Sequence, residues 1–181
     1  KEALRLYVRR FMELFFPRIE ALIDWSREPV FLDKELRMLR RGRSHTRHAD
    51  VLVLVCLCSG HERIFHLHVE IQNQREPGFD ERIYEYHCRL VAHYGLNQVA
   101  SLILLGDDEP SWRPGRFTTS LLGVNEVDFR FACVKLIDWE QRWDELAASS
   151  NPFALFVRCH LRTLSTRGDV ASREEWKYRL A

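Results

Sequence analysis

An α/β sandwich built around a mixed sheet is the fold class this sequence predicts, on three observations. Val51 to Leu57 and Ile64 to Ile71 are apolar, β-branched runs separated by a short polar turn, which reads as an antiparallel hairpin. Val99 to Leu105 is apolar at nearly every position, the pattern of a central strand covered on both faces. Segments with apolar residues every three or four positions precede, separate and follow these runs, so helices flank the sheet. The hairpin excludes a purely parallel sheet.

In chain order, Leu4, Tyr7, Val8, Phe11, Met12, Phe15 and Phe16 define an amphipathic helix, with Arg5, Arg9, Arg10 and Glu13 between them. Pro17 interrupts it, because proline cannot donate to the preceding turn. A shorter helix through Ile19 to Ile23 follows, then a connection to an extended segment beginning near Val30. Arg37 to His48 is polar and basic and contains Gly42, as an exposed loop or the end of a strand would. After the hairpin, Asn73 to Gly78 leads into a second amphipathic helix, Phe79 to Tyr94, closed by Gly95. Beyond the central strand, Asp107 to Arg116 carries Pro110 and Pro114 and reads as an exposed turn. Val127 to Ile137 reads as a further strand whose partner begins at Leu121, and Glu140 to Ala147 and Pro152 to Leu164 as helices.

Composition bounds the function. The 181 residues suit one domain spanning 1–181, and 46% hydrophobic with 29% charged residues excludes a mainly disordered or fibrous chain. The chain opens on Lys1 rather than Met, which leaves room for 1–181 to be a piece of something longer. No run approaches the roughly 18 apolar residues of a membrane span, so no membrane association is expected. Five cysteines, an odd number set mostly in apolar stretches, point to a reducing, cytoplasmic setting. Cys56 and Cys58 are too closely spaced for the usual zinc pair. The net charge is only +1, but arginine far outnumbers lysine, and the excess of basic residues lies before Ala49.

The residues with the most chemistry are Asp50, at the entry to the first hairpin strand, and Glu70 and Gln72, at the exit of the second. A hairpin centred on Gly60 sets Asp50 directly opposite Glu70, with Cβ atoms about 4.5–5.5 Å apart on one face. Strand alternation adds Gln72 to that face. Two carboxylates so close repel unless a cation or a shared proton compensates. Mg²⁺ is the expected compensator, since it favours oxygen ligands, with Mn²⁺ or Ca²⁺ as alternatives; the Ile71 carbonyl could add a further ligand. Such an ion polarises a phosphoryl oxygen and lowers the pKa of bound water. The plainer alternative is that Asp50 caps a strand end while Glu70 pairs with an arginine. His66 and His68 share the face expected for Glu70, either as metal ligands or base, or packed against a helix.

The stretches FLDKEL (31–36), RHADVLVLV (47–55), LHVEIQNQ (67–74), FDERIYEYHCRL (79–90), WRPGRF (112–117) and NPFALFV (151–157) resemble the recombination-promoting nuclease/transposase family of the PD-(D/E)XK nuclease superfamily. The resemblance implies a restriction-endonuclease-like sandwich. It makes Asp50 the metal-binding aspartate and Glu70 the acid of the E-x-K motif. Gln72 stands where many relatives have lysine, so the chain is similar to the E-x-Q variants. Gln72 can orient water or phosphate but cannot change protonation near neutral pH. A further catalytic acid is expected at Glu35, within FLDKEL, ahead of Glu13 and Glu20, which are candidates by location. Its structural alternative is an exposed charge or a salt bridge.

Arg82, matched by the family-like helix, and Gln74 and Arg75 are expected at phosphate. Arg41, Arg43 and Arg47, with Arg37 and Arg40, would form a patch for the DNA backbone; a solvated basic loop is the alternative. The implied activity is a metal-dependent DNA endonuclease that hydrolyses phosphodiester bonds in a setting of recombination or mobile DNA. The alternative is a catalytically weakened DNA-binding or protein-interaction module of the same fold. The expected partners are DNA and a second copy of the chain, which would set two sites on a duplex.

Overall fold

The computed structural model describes residues 2–32, 48–70 and 75–166, with the backbone pairing alone at 48–50 and 68–70. Helices α1 (Glu2–Leu6), α2 (Val8–Phe15) and α3 (Pro17–Glu20) come first. Strands β1 (Val30–Phe31), β2 (His48–Cys56) and β3 (Glu62–Glu70) lead to helix α4 (Phe79–Tyr94) and strand β4 (Val99–Leu105). A ribbon of β5 (Arg116–Leu121) and β6 (Asn125–Arg130) precedes β7 (Ala132–Lys135), a 3-10 helix (Leu136–Arg142), α5 (Trp143–Ala148) and α6 (Pro152–Ser165). The main sheet runs β1-β2-β3-β4-β7. Its first two pairings are antiparallel and the last two parallel. No helix among the described residues is long and apolar enough to cross a membrane.

Alternation along the strands divides the core between two faces. Val51, Val53, Phe65, Leu67, Leu102 and Leu104 face α1, α2 and α6, meeting Phe11, Met12, Phe15 and Val157. On the other face Leu52 and Ile64 meet Leu90 of α4, and Ile103 and Leu105 meet Phe79 and Ile83 of α4. Burial on both faces is why β2 and β4 read as nearly unbroken apolar runs. Asn151 ties together two helices of one layer: its side chain accepts from the Phe153 N–H at the start of α6 (3.0 Å) and donates to the Arg10 carbonyl of α2 (2.7 Å).

The hairpin register differs from the expected one. The last ladder pair is Cys56 with Glu62, beyond which the Leu57 N–H donates to the His61 carbonyl at 2.8 Å. Gly60 has φ of +84° and donates its N–H to the Leu57 carbonyl (2.8 Å). Glycine thus occupies the last, left-handed position of a three-residue loop rather than its centre. Asp50 therefore pairs with His68, and Glu70 with His48. The displacement is two residues, an even number, so every residue keeps its expected face.

Three other segments correct the sequence reading. Val127 to Ile137 is not one strand: β6 pairs with β5, the Phe131 N–H bonds the Gly115 carbonyl, and Ala132 enters the main sheet beside Leu102. Leu121 ends β5 instead of beginning it, because the turn at Leu122 and Gly123, both with positive φ, leads directly to β6. The 107–116 segment is not wholly exposed, since Asp107 and Trp112 are buried around Lys135.

Candidate metal centre

β2 begins and β3 ends at the same edge of the sheet, which sets the positions of Asp50 and Glu70 near one another. Leu52 and Ile64, two positions along from Asp50 and six from Glu70, meet Leu90 of α4, so by strand parity the two acidic positions belong to the face that α4 covers. Asp50 and Glu70 are diagonal neighbours, for which about 7–8 Å is typical, instead of direct opposites. That diagonal is wider than the direct opposition expected from a hairpin centred on Gly60.

α4 runs against β3 and β4: its amino end packs Phe79 and Ile83 on Ile103 and Leu105, and Leu90 near its far end meets Leu52 and Ile64. Glu70 pairs with Leu105, so the positive end of the α4 dipole lies toward the edge where Glu70 stands. This edge also holds the carboxyl ends of the parallel strands β3, β4 and β7, the usual place for ligands in open α/β sheets.

The expected phosphate ligand Arg82 is 10% exposed and pairs with Glu76 at 2.9 Å. Its guanidinium also lies over the Phe79 ring, 5.2 Å from the centroid. Arg82 thereby ties α4 to the segment that follows Glu70. Arg75 lines an open groove of about 390 Å³ with Glu76, Asp80, Trp112, Arg113 and Thr118. Glu13 bonds Arg9 and Arg10, and Glu20 lies 3.8 Å from Arg9. α2, which carries Glu13, packs on the opposite face of the sheet, which removes Glu13 from the acidic edge. His66 is buried beneath α4 with its ring 6.1 Å from that of Tyr86. Glu35, Arg37, Arg40, Arg41, Arg43, Arg47, Ile71, Gln72 and Gln74 lie outside the described residues.

Lys135 is the residue that sequence reasoning missed. It shares a row with Leu105 and Glu70 across β7, β4 and β3, two strand spacings from Glu70. Its Nζ donates to Asp107 Oδ1, the Glu109 carbonyl and the Trp112 carbonyl, each at 2.6 Å. An ammonium has three donors, so Lys135 has none left to stand in for the lysine that Gln72 replaces. Burial pushes the pKa of the neighbouring Cys133 thiol up to about 12, which keeps it protonated near neutral pH. Among the described side chains no group of three or more His, Cys, Asp or Glu converges as an ion site. No family model, curated protein or solved structure matches the chain.

Proposed function

We propose that this protein is a metal-dependent DNA endonuclease with a restriction-endonuclease-like sandwich, of the recombination-promoting nuclease kind that its sequence resembles. The observation that carries the reading is the register that sets Asp50 and Glu70 on one face at the edge where α4 begins. The order of helices, antiparallel strands, helix and parallel strand supports it as well. Two oxygen donors at this spacing suit Mg²⁺, and Mn²⁺ or Ca²⁺ as substitutes.

Asp50 and Glu70 would hold the ion, with the Ile71 carbonyl and Glu35 as further oxygen donors. A bound divalent ion supplies Lewis acidity toward a phosphoryl oxygen and acidifies water. The Gln72 amide orients water or phosphate. Arg82 positions the segment after Glu70 through its pair with Glu76. Arg41, Arg43, Arg47, Gln74 and Arg75 would engage the DNA backbone, and two copies of the chain would cut both strands.

The test is conversion of supercoiled plasmid to nicked circles by the purified protein with Mg²⁺, Mn²⁺, Ca²⁺ or chelator, beside Asp50→Ala. Nicking that needs the metal and Asp50 is the expected result. The lack of a lysine at position 72 favours a second reading, a catalytically weakened DNA-binding module. It predicts metal-independent retention of DNA without nicking under any ion.

A further inference from the structure

The ribbon of β5 and β6 ends in an apolar tip. Leu121, Leu122 and Val124 are 63%, 90% and 77% exposed, and Leu122 holds a φ of +55°. A leucine in that left-handed region lacks the local side-chain hydrogen bond that asparagine makes there, and this one has no burial to offset the strain. A strained, solvent-facing leucine beside two more exposed apolar residues points to a contact made outside the chain.

The strand that leads to this tip has an open edge. Among the described residues β5 pairs only with β6. The Phe131 N–H bonds the Gly115 carbonyl, so in this register the hydrogen-bonded pairs are Phe117 with Phe129, Thr119 with Val127 and Leu121 with Asn125. The backbones of Arg116, Thr118 and Ser120 therefore point away from β6. From Phe117 to Leu122 the edge carries no charge and no proline, the usual protections against pairing with another chain. The outer edge of β6, by contrast, carries Glu126, Asp128 and Arg130.

We infer that β5 pairs antiparallel with β5 of a second copy, about a twofold axis through Thr119, which joins the two ribbons into one continuous sheet. Thr118 and the partner's Ser120 then exchange backbone hydrogen bonds in both directions, and Phe117 stands opposite the partner's Leu121. A register centred on Thr118 would instead set Phe117 against Thr119 and Leu121 against Gly115, matching neither apolar residue. The same axis gives the tip a destination. The groove of about 390 Å³ that Arg75 lines runs beside the start of β5, with Phe117 and Thr118 on one wall and Pro77, Gly78 and Pro114 on others. Antiparallel pairing carries the tip of one ribbon to the start of the other's β5, so Leu121 and Leu122 reach the partner's groove. Each copy supplies both tip and groove, as an isologous contact requires. The pairing goes beyond the proposed function: it supplies the surface for the second copy invoked there, and it does not depend on cleavage.

Sedimentation velocity of the full chain over a range of concentrations tests the pairing, with circular dichroism to verify each fold. The wild type should sediment as a dimer. Ser120→Pro removes a donor that faces away from β6, so the hairpin keeps its ladder while the dimer weakens by at least about ten-fold. Thr119→Lys and Thr119→Glu each set like charges across the axis and should weaken association alone, whereas an equal mixture of the two pairs opposite charges and should associate more tightly than either. A wild type that stays monomeric at the highest concentration reached would overturn the pairing. So would a dimer that neither Ser120→Pro nor the two Thr119 variants weaken, since it forms through another surface. Plasmid nicking by the same samples keeps the two readings apart: a dimer that never nicks leaves the pairing standing, and a monomer that nicks removes the pairing alone.

Discussion

Lys135 Nζ lies 2.6 Å from Asp107 Oδ1, and the two side chains are 3% and 0% exposed. Two backbone carbonyls complete the ammonium's hydrogen bonds and fasten the 107–112 segment to the end of β7. Removing one partner of such a pair strands the other charge in low dielectric. Asp107→Ala or Lys135→Ala should therefore cost about 3–5 kcal/mol of folding free energy. Urea unfolding measures it, and a loss below about 1 kcal/mol would mean that the pair is solvated.

Gly60 tests the hairpin register. A Cβ there would meet no atom within 4 Å, so any penalty comes from its φ of +84°. Gly60→Ala should destabilise by about 1–2 kcal/mol, and Gly60→Asn by less, because asparagine tolerates the left-handed region. Equal stability of alanine and glycine in chemical unfolding would contradict the three-residue loop, and with it the pairing of Glu70 with His48.

His87 of α4 lies against Phe129 of the ribbon, ring centroids 4.6 Å apart, and burial holds its pKa below the ordinary 6.5. The unfolded chain therefore binds this proton more readily than the folded one. The His87 contribution to stability should be at its full value above about pH 6.5 and be lost as pH falls toward the lowered folded pKa. A proton NMR titration should give a midpoint below 6.5, and His87→Phe should flatten the slope of stability against pH in that window. A midpoint at or above 6.5 would contradict the account.

Much of the architecture was legible because local signals agree with the packing. Helical spacing from Phe79 and a closing Gly95 give α4 its observed ends, and the apolar run of β4 reflects burial on both faces. The shared face of Asp50 and Glu70 survived a wrong register because the error was even. The rung partners did not survive it: a hairpin centred on Gly60 sets Asp50 opposite Glu70, whereas the three-residue loop sets His48 there. β5 was hidden because Arg116, Thr118, Thr119 and Ser120 are exposed and carry no apolar pattern. The Lys135 and Asp107 pair spans 28 residues, and no local periodicity encodes such a contact.

The central claim is that phosphodiester cleavage depends on the acidic edge of β2 and β3. The most direct measurement is plasmid nicking by wild type and Glu70→Ala side by side in Mg²⁺ and Mn²⁺, with both folds verified by circular dichroism. The account predicts metal-dependent nicking in the wild type and, in the variant, a loss exceeding the roughly 10–100-fold cost of an outer-shell change. A folded Glu70→Ala protein that nicks at the wild-type rate would contradict it, as would a folded wild type that binds DNA and never cuts.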